Sequence, residues 1–220
     1  MYKKLLTLLL AVASLPLFSQ TITHRNPELE KLVLEVSSDS LENYVRTLAA
    51  FTSRHTLNTD AENGMPAAQN YVLKKFNEFA KQSGGRMTAE IEKFTIPADA
   101  RRILKDSQAA NVIATLKGTN PNDDRIFVIS GHMDSRNKDV MDGDGIAPGA
   151  NDDGSGTAAV IEIARILAKK EFSATILFVA FTGEEEGLKG ATYLADKAKE
   201  MGWNIAGVLN NDIVGNSNSS

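Results

Sequence analysis

Three short apolar runs, each followed at once by imidazole or carboxylate side chains, constrain this chain more than any other feature. Ile126-Phe127-Val128-Ile129 sits within residues 125–130, a second run spans 174–181, and a shorter third spans 206–209. Continuous apolar runs of this length suit strands buried on both faces. Between them, residues 155–170 and 188–201 carry apolar positions at helical spacing. Strand, helix, strand, helix, strand predicts parallel strands with covering helices, an α/β fold.

The first half supplies the rest of the sheet and more cover. Leu29, Leu32, Val33 and Val36, then Leu41, Val45 and Leu48, give helical spacing across residues 28–51. Residues 66–82 predict another helix, with Pro66 suited to its first turn and Gly84-Gly85 to its end. Residues 87–96 and 109–116 then predict two strands with no helix between them, an antiparallel pair at the start of the same sheet. The expected architecture is a mixed, mostly parallel central sheet with helices on both faces. The polar tail at 215–220 predicts a loop.

The first twenty residues differ from the rest. Lys3-Lys4 precedes a stretch, 5–17, that is apolar apart from Thr7, Ser14 and Pro16. This pattern predicts a signal peptide, residues 1–20, and an exported protein, periplasmic or extracellular. A membrane anchor fits less well, because a spanning helix needs about 20 apolar residues. The chain has no cysteine, so it has no disulfides, and His, Asp and Glu are its strong zinc ligands. A net charge of −4 argues against a nucleic-acid partner.

The residues just after each apolar run carry the chemistry. Gly131-His132-Met133-Asp134-Ser135 comes after the first, Thr182-Gly183-Glu184-Glu185-Glu186-Gly187 after the second, and Asn210-Asn211-Asp212 after the third. Parallel strands end on one edge of the sheet, where open α/β sheets bind ligands. His132, Glu184, Glu185 and Asp212 would meet there. Asn151-Asp152-Asp153-Gly154, entering the helix that starts near Ser155, belongs to the same edge. Several carboxylates crowded round one imidazole raise each other's pKa unless a cation balances them. A pair of divalent cations bridged by a carboxylate would do so.

Each piece has a plainer reading when taken alone. The Asp152-Asp153 pair suits the cap of the following helix. Three glutamates in a row suit a solvated surface, and Glu186 has no other expected role. His55 suits an ordinary loop or core histidine. Gly154-Ser155-Gly156 opens a helix, but no strand ends directly in a dinucleotide-binding glycine turn.

Taken together, GHMDS, APGANDDGSG, FTGEEEGLKG and LNNDIVGN resemble the double-zinc exopeptidase family of bacterial leucyl aminopeptidases, in order and spacing across residues 131–215. Glutamate carboxypeptidase and glutaminyl cyclase are more distant relatives. Asn111-Val112-Ile113-Ala114 and Thr52-Ser53-Arg54-His55-Thr56 resemble the family's lead-in. The resemblance implies that His132 and Asp212 bind a first zinc, that Asp152 bridges two zincs, and that Glu185 binds the second. It implies that Asp134 orients the imidazole of His132 and that Glu184 is the general base. Residues 21–220 would then be part of a zinc exopeptidase catalytic domain. The substrate would be a peptide with a free N-terminus, cut by a water that zinc acidifies and Glu184 deprotonates.

The resemblance also implies one more zinc-binding histidine, well downstream. His24, His55 and His132 are the three histidines present, so that ligand is expected beyond Ser220. The 220 residues would therefore bind one zinc weakly and hydrolyse little. Two other readings stay open: a single-zinc glutaminyl cyclase, and a non-catalytic binding module that kept the fold.

Overall fold

The computed structural model describes residues 26–99 and 101–216. The expected leader, residues 1–20, lies outside them. No helix among the described residues is long and apolar enough to cross a membrane.

The chain divides into two units. In the first, α1 (Pro27–Leu34) has its proline at the start, where a missing amide is tolerated, and the Asn26 side chain accepts from the Glu28 amide. In the second unit, α2 (Ser38–Ala50) begins at Ser37, whose hydroxyl caps the Ser40 amide at 3.1 Å. The helical spacing over 28–51 therefore resolves into two helices. Next come α3 (Met65–Ala80), β1 (Met87–Ile96), β2 (Ser107–Leu116) and β3 (Arg125–His132). The alternating part continues as α4 (Gly154–Leu167), β4 (Thr175–Phe181), α5 (Lys189–Glu200) and β5 (Asn204–Asn210).

The five strands form one sheet in the order β1-β2-β4-β3-β5. β1 pairs antiparallel with β2, and β2 antiparallel with β4. β3 pairs parallel with β4 on one side and β5 on the other. Four strands thus run one way and β2 runs against them, so the sheet is mixed with a mostly parallel direction.

Period-2 alternation sorts the sheet's side chains between two cores. On one face Val112, Ala114, Ile129, Ile176 and Phe178 pack with Leu48 of α2, Phe76 of α3 and Ile161 of α4. On the other, Ile113, Val128, Leu177 and Val179 pack with Leu194 of α5 and with Trp203. Phe76 and Phe178 are fully buried, and burial of each such side chain contributes roughly 1.5–3 kcal/mol.

β5 departs from expectation. Its apolar run predicts burial, yet Val208 is 60 % and Leu209 59 % exposed. Among the described residues it pairs only with β3, and no helix lies in either core against it.

The topology places the site. From β3 the chain crosses by α4, on one face, to β4. From β4 it crosses by α5, on the other face, back past β3 to β5. The carboxyl end of β3 is therefore a switch point, where helices diverge to opposite faces and leave a crevice. His132 is the last residue of β3.

Candidate metal centre

Four loops converge on that crevice. The α4 N-terminus approaches the ends of β3 and β5 closely: a Cβ on Gly156 would lie 2.2 Å from the Asn211 carbonyl oxygen and one on Gly131 2.9 Å from the Gly156 carbonyl carbon. Only glycine fits such approaches. After β4, the Thr182 amide donates to Asn111 Oδ1 and its hydroxyl to the Ala110 carbonyl. Gly183, at φ +85°, then turns the chain into Glu184. The Glu184 carbonyl accepts from the amides of Gly187 and Leu188, closing the turn.

The His132 imidazole, 3 % exposed, is the hub. Its Nε2 lies 3.2 Å from Asp152 Oδ1, 3.8 Å from Asp212 Oδ1 and 3.9 Å from Glu184 Oε2. His132, Asp152 and Asp212 each offer a ligand atom within 4.8 Å of the others. Its Nδ1 faces Asp134, 3.1 Å from the carbonyl oxygen and 3.5 Å from Oδ1. A proton on Nδ1 leaves Nε2 free to bind a cation, the usual arrangement for a metal-bound histidine.

Asp134, wholly buried, does more than orient that ring. Its Oδ1 accepts from the Glu184 amide at 3.3 Å, and Oδ2 from the Glu185 amide at 3.1 Å and the Thr56 hydroxyl at 3.2 Å. One carboxylate thus ties the β3 loop to the glutamate turn. Burial works against its charge, but His132 and the two amides prevail and hold its pKa below the usual carboxylate value.

The adjacent aspartates divide the work. Asp152 turns to His132 Nε2. Asp153, 0 % exposed, caps α4 through the Gly156 amide at 2.8 Å and also accepts from the amides of His132 and Ile213. The capping reading of this pair therefore holds for Asp153, while Asp152 is left facing the cluster. Burial pushes the Asp153 carboxyl up to about 7, against the pull of His132 and those three amides. Ile213, next to Asp212, sits at φ +52°, a conformation β-branched residues rarely adopt.

Glu185 does not join the cluster around His132. Its Oε2 lies 2.5 Å from Arg136 Nε, and its carbonyl accepts from Arg102 Nη1. Glu186, expected at the surface, is only 3 % exposed. His55 Nδ1 accepts from the Leu57 amide, so Nε2 carries the proton and faces Glu186 Oε1 at 3.3 Å. Glu186 Oε2 has no hydrogen-bond partner, and burial pushes the carboxyl up to about 7. His55 is thus a core histidine, away from the cluster.

Arg54, also fully buried, backs the site. It donates to the carbonyls of Leu48, Met133, Pro148 and Gly149 at 2.6–2.8 Å, and its charge is felt by Asp134, Asp153 and Asp152.

The donor set fits zinc: one imidazole nitrogen and two carboxylate oxygens, with a further carboxylate, Glu184, alongside. The electrostatics fit too. Burial alone would lower the His132 pKa, but Asp134 beside it, with Asp153 and Glu184, pushes it up to about 10. A raised pKa means that the ion-free imidazole keeps its proton through neutral pH, balancing the carboxylates as a cation would. A cation on Nε2 must displace that proton. Zinc uptake is therefore expected to release about one proton between about pH 6 and pH 9, with apparent affinity rising about tenfold per pH unit. Calorimetry in buffers of different ionisation enthalpy measures this, and proton-neutral uptake across that range contradicts it.

Sequence comparison decides the family. Residues 111–220 match the sequence profile of Peptidase family M28, and every residue of the cluster lies inside that span. The chain belongs to peptidase family M28. A probable zinc metalloprotease of Pyrenophora teres f. teres is 43 % identical over 208 residues, covering 92 % of this chain and 44 % of the relative. Among solved structures, the LapA aminopeptidase of Legionella pneumophila superposes with a TM-score of 0.66 at 19 % identity, over 90 % of this chain and 50 % of that one. A glutaminyl cyclase of Porphyromonas gingivalis superposes at 0.64 and 20 %, over 82 % and 62 %. These two likenesses show the fold alone. The chain spans less than half the length of the fungal relative.

Proposed function

We propose that this M28 chain carries the catalytic centre of a zinc-dependent aminopeptidase, hydrolysing the N-terminal peptide bond of peptides. The observation that carries the reading is His132 Nε2, facing Asp152, Asp212 and Glu184 within 3.9 Å in one crevice. Zinc bound there would polarise the scissile carbonyl and make an attacking water more acidic. Two ions are proposed for the whole enzyme, which His132, Asp152, Asp212 and Glu185 would help to hold.

The chain's own groups supply the remaining steps. Glu184 accepts the water's proton and delivers it to the departing amine. Burial raises its pKa, assisted by Asp134, Glu185 and Asp212 and opposed by His132, which moves a carboxylate toward a base of useful strength at neutral pH. Asp134 holds the Glu184 amide and the His132 ring in one framework, fixing the base relative to the metal seat. A free N-terminal amine suits the acidic rim by charge.

The test is single-turnover assay of the zinc-loaded chain, in excess over a leucyl peptide and its N-acetylated form. Slow release of free leucine from the first alone is expected. Glu184→Gln should bind zinc as tightly and release product slower by a factor on the order of 100–10,000. Equal rates for E184Q, or a pyroglutamyl product from a glutaminyl peptide, would overturn the proposal. We further propose that residues 1–20 are a signal peptide and that the mature protein is exported. N-terminal sequencing of material recovered outside the cytoplasm tests this, and an intact Met1 would contradict it.

A further inference from the structure

Glu185 is the one proposed ligand that stands away from the cluster, and a cation already holds it. Arg136 Nε lies 2.5 Å from Glu185 Oε2, while the Glu185 carboxylate is mostly buried. Arg136 comes two residues after Asp134, so it rises from the same loop that carries the metal cluster. The charges of Glu185, then Asp152 and Glu184, all favour its protonated form. These are the carboxylates proposed to surround the ions. Arg54 answers the same cluster from the buried side. Arg136 answers it from the solvent side, with a side chain 40 % exposed that also donates to the Asn137 carbonyl at 3.4 Å. Arg102 fixes only the Glu185 backbone, through its carbonyl, and leaves the carboxylate to Arg136.

We propose that Arg136 is the resident counter-ion of Glu185 and competes with a divalent cation for that carboxylate, so that it governs how readily the second metal position fills. The inference rests on the proposed metal site. A carboxylate cannot give the same oxygen fully to a guanidinium and to an ion. Removing Arg136 frees the oxygen and also removes a like charge that repels the ion. Both effects tighten binding. An arginine that merely positions Glu185 would have the opposite effect, because its loss would leave the ligand disordered.

Zinc alone is the probe, titrated into the full chain against a chromophoric chelator, for wild type, R136Q, E185Q and the double variant. R136Q is expected to tighten the second, weaker zinc equivalent by about fivefold or more, the scale on which contacting charges couple, and to change the first by less. In the E185Q background the same change should alter affinity by no more than about twofold. Unchanged or weaker binding by R136Q overturns the proposal. So does an equal gain with E185Q, which would mark a through-space charge effect. Asp152 is the control: a wild type that binds zinc no better than D152N refutes the metal site itself, a different failure from that of the Arg136 competition.

Discussion

Arg54→Met is expected to lower the unfolding free energy by about 3–5 kcal/mol, as when one partner is removed from a buried charge cluster. Its guanidinium is wholly buried and holds four carbonyl oxygens from α2 and the 133–149 loop. Methionine keeps much of the volume but removes the guanidinium donor from all four, leaving Leu48 and Gly149 only their bonds from the Phe51 and Gly154 amides. It also strips Asp134 and Asp153 of a cation that offsets their burial. Arg54→Lys keeps the charge but not the planar fork, so its loss should be smaller. Urea denaturation of the ion-free protein reads both. A loss below about 1 kcal/mol for R54M, the range of an ordinary surface change, would contradict this account of the loop.

His132→Ala is expected to weaken zinc binding on the order of 100-fold or more, beyond the effect of removing an outer partner of the ligand. The fold should survive. The variant loses the ring's bond to Asp134 but keeps two backbone bonds, from the residue 132 amide to Asp153 Oδ2 and from the Thr157 hydroxyl to its carbonyl. Asp134→Asn, which leaves the ring in place but disturbs its orientation, should cost about 10–100-fold. Chelator competition gives both values. An order reversed between H132A and D134N would mean that Nε2 is not where the ion sits.

The sheet was legible because strand and helix periods alternate after residue 87: the strand at 87–96 lies where its alternation puts it, and the apolar run at 125–130 lies in a strand that continues to His132. The edge position of β5 was not, since Val208 and Leu209 resemble buried residues in any local window. In the site, the meeting of His132 and Asp212 could be foreseen from their place after strands, and that of Asp152 from the loop entering α4. Glu186 could not: a third glutamate in a row looks solvated, and its burial depends on His55, far earlier in the chain. Arg54 is the same case, since its four carbonyl partners come from the end of α2 and from the 133–149 loop, whose approach no periodicity records. Asp153 was half legible. Its cap on α4 follows from helix-start chemistry, whereas its bonds to His132 and Ile213 need the folded crevice. The pairing of Glu185 with Arg136 is likewise set by loops meeting, which spacing does not encode.

The central claim is that His132, Asp152 and Asp212 form one seat for a divalent ion. Anomalous diffraction at the zinc edge from zinc-soaked crystals tests it most directly. The account predicts a peak about 2.0–2.2 Å from His132 Nε2 and from a carboxylate oxygen of both Asp152 and Asp212. A crevice without a peak, with zinc bound elsewhere on the chain, would contradict it.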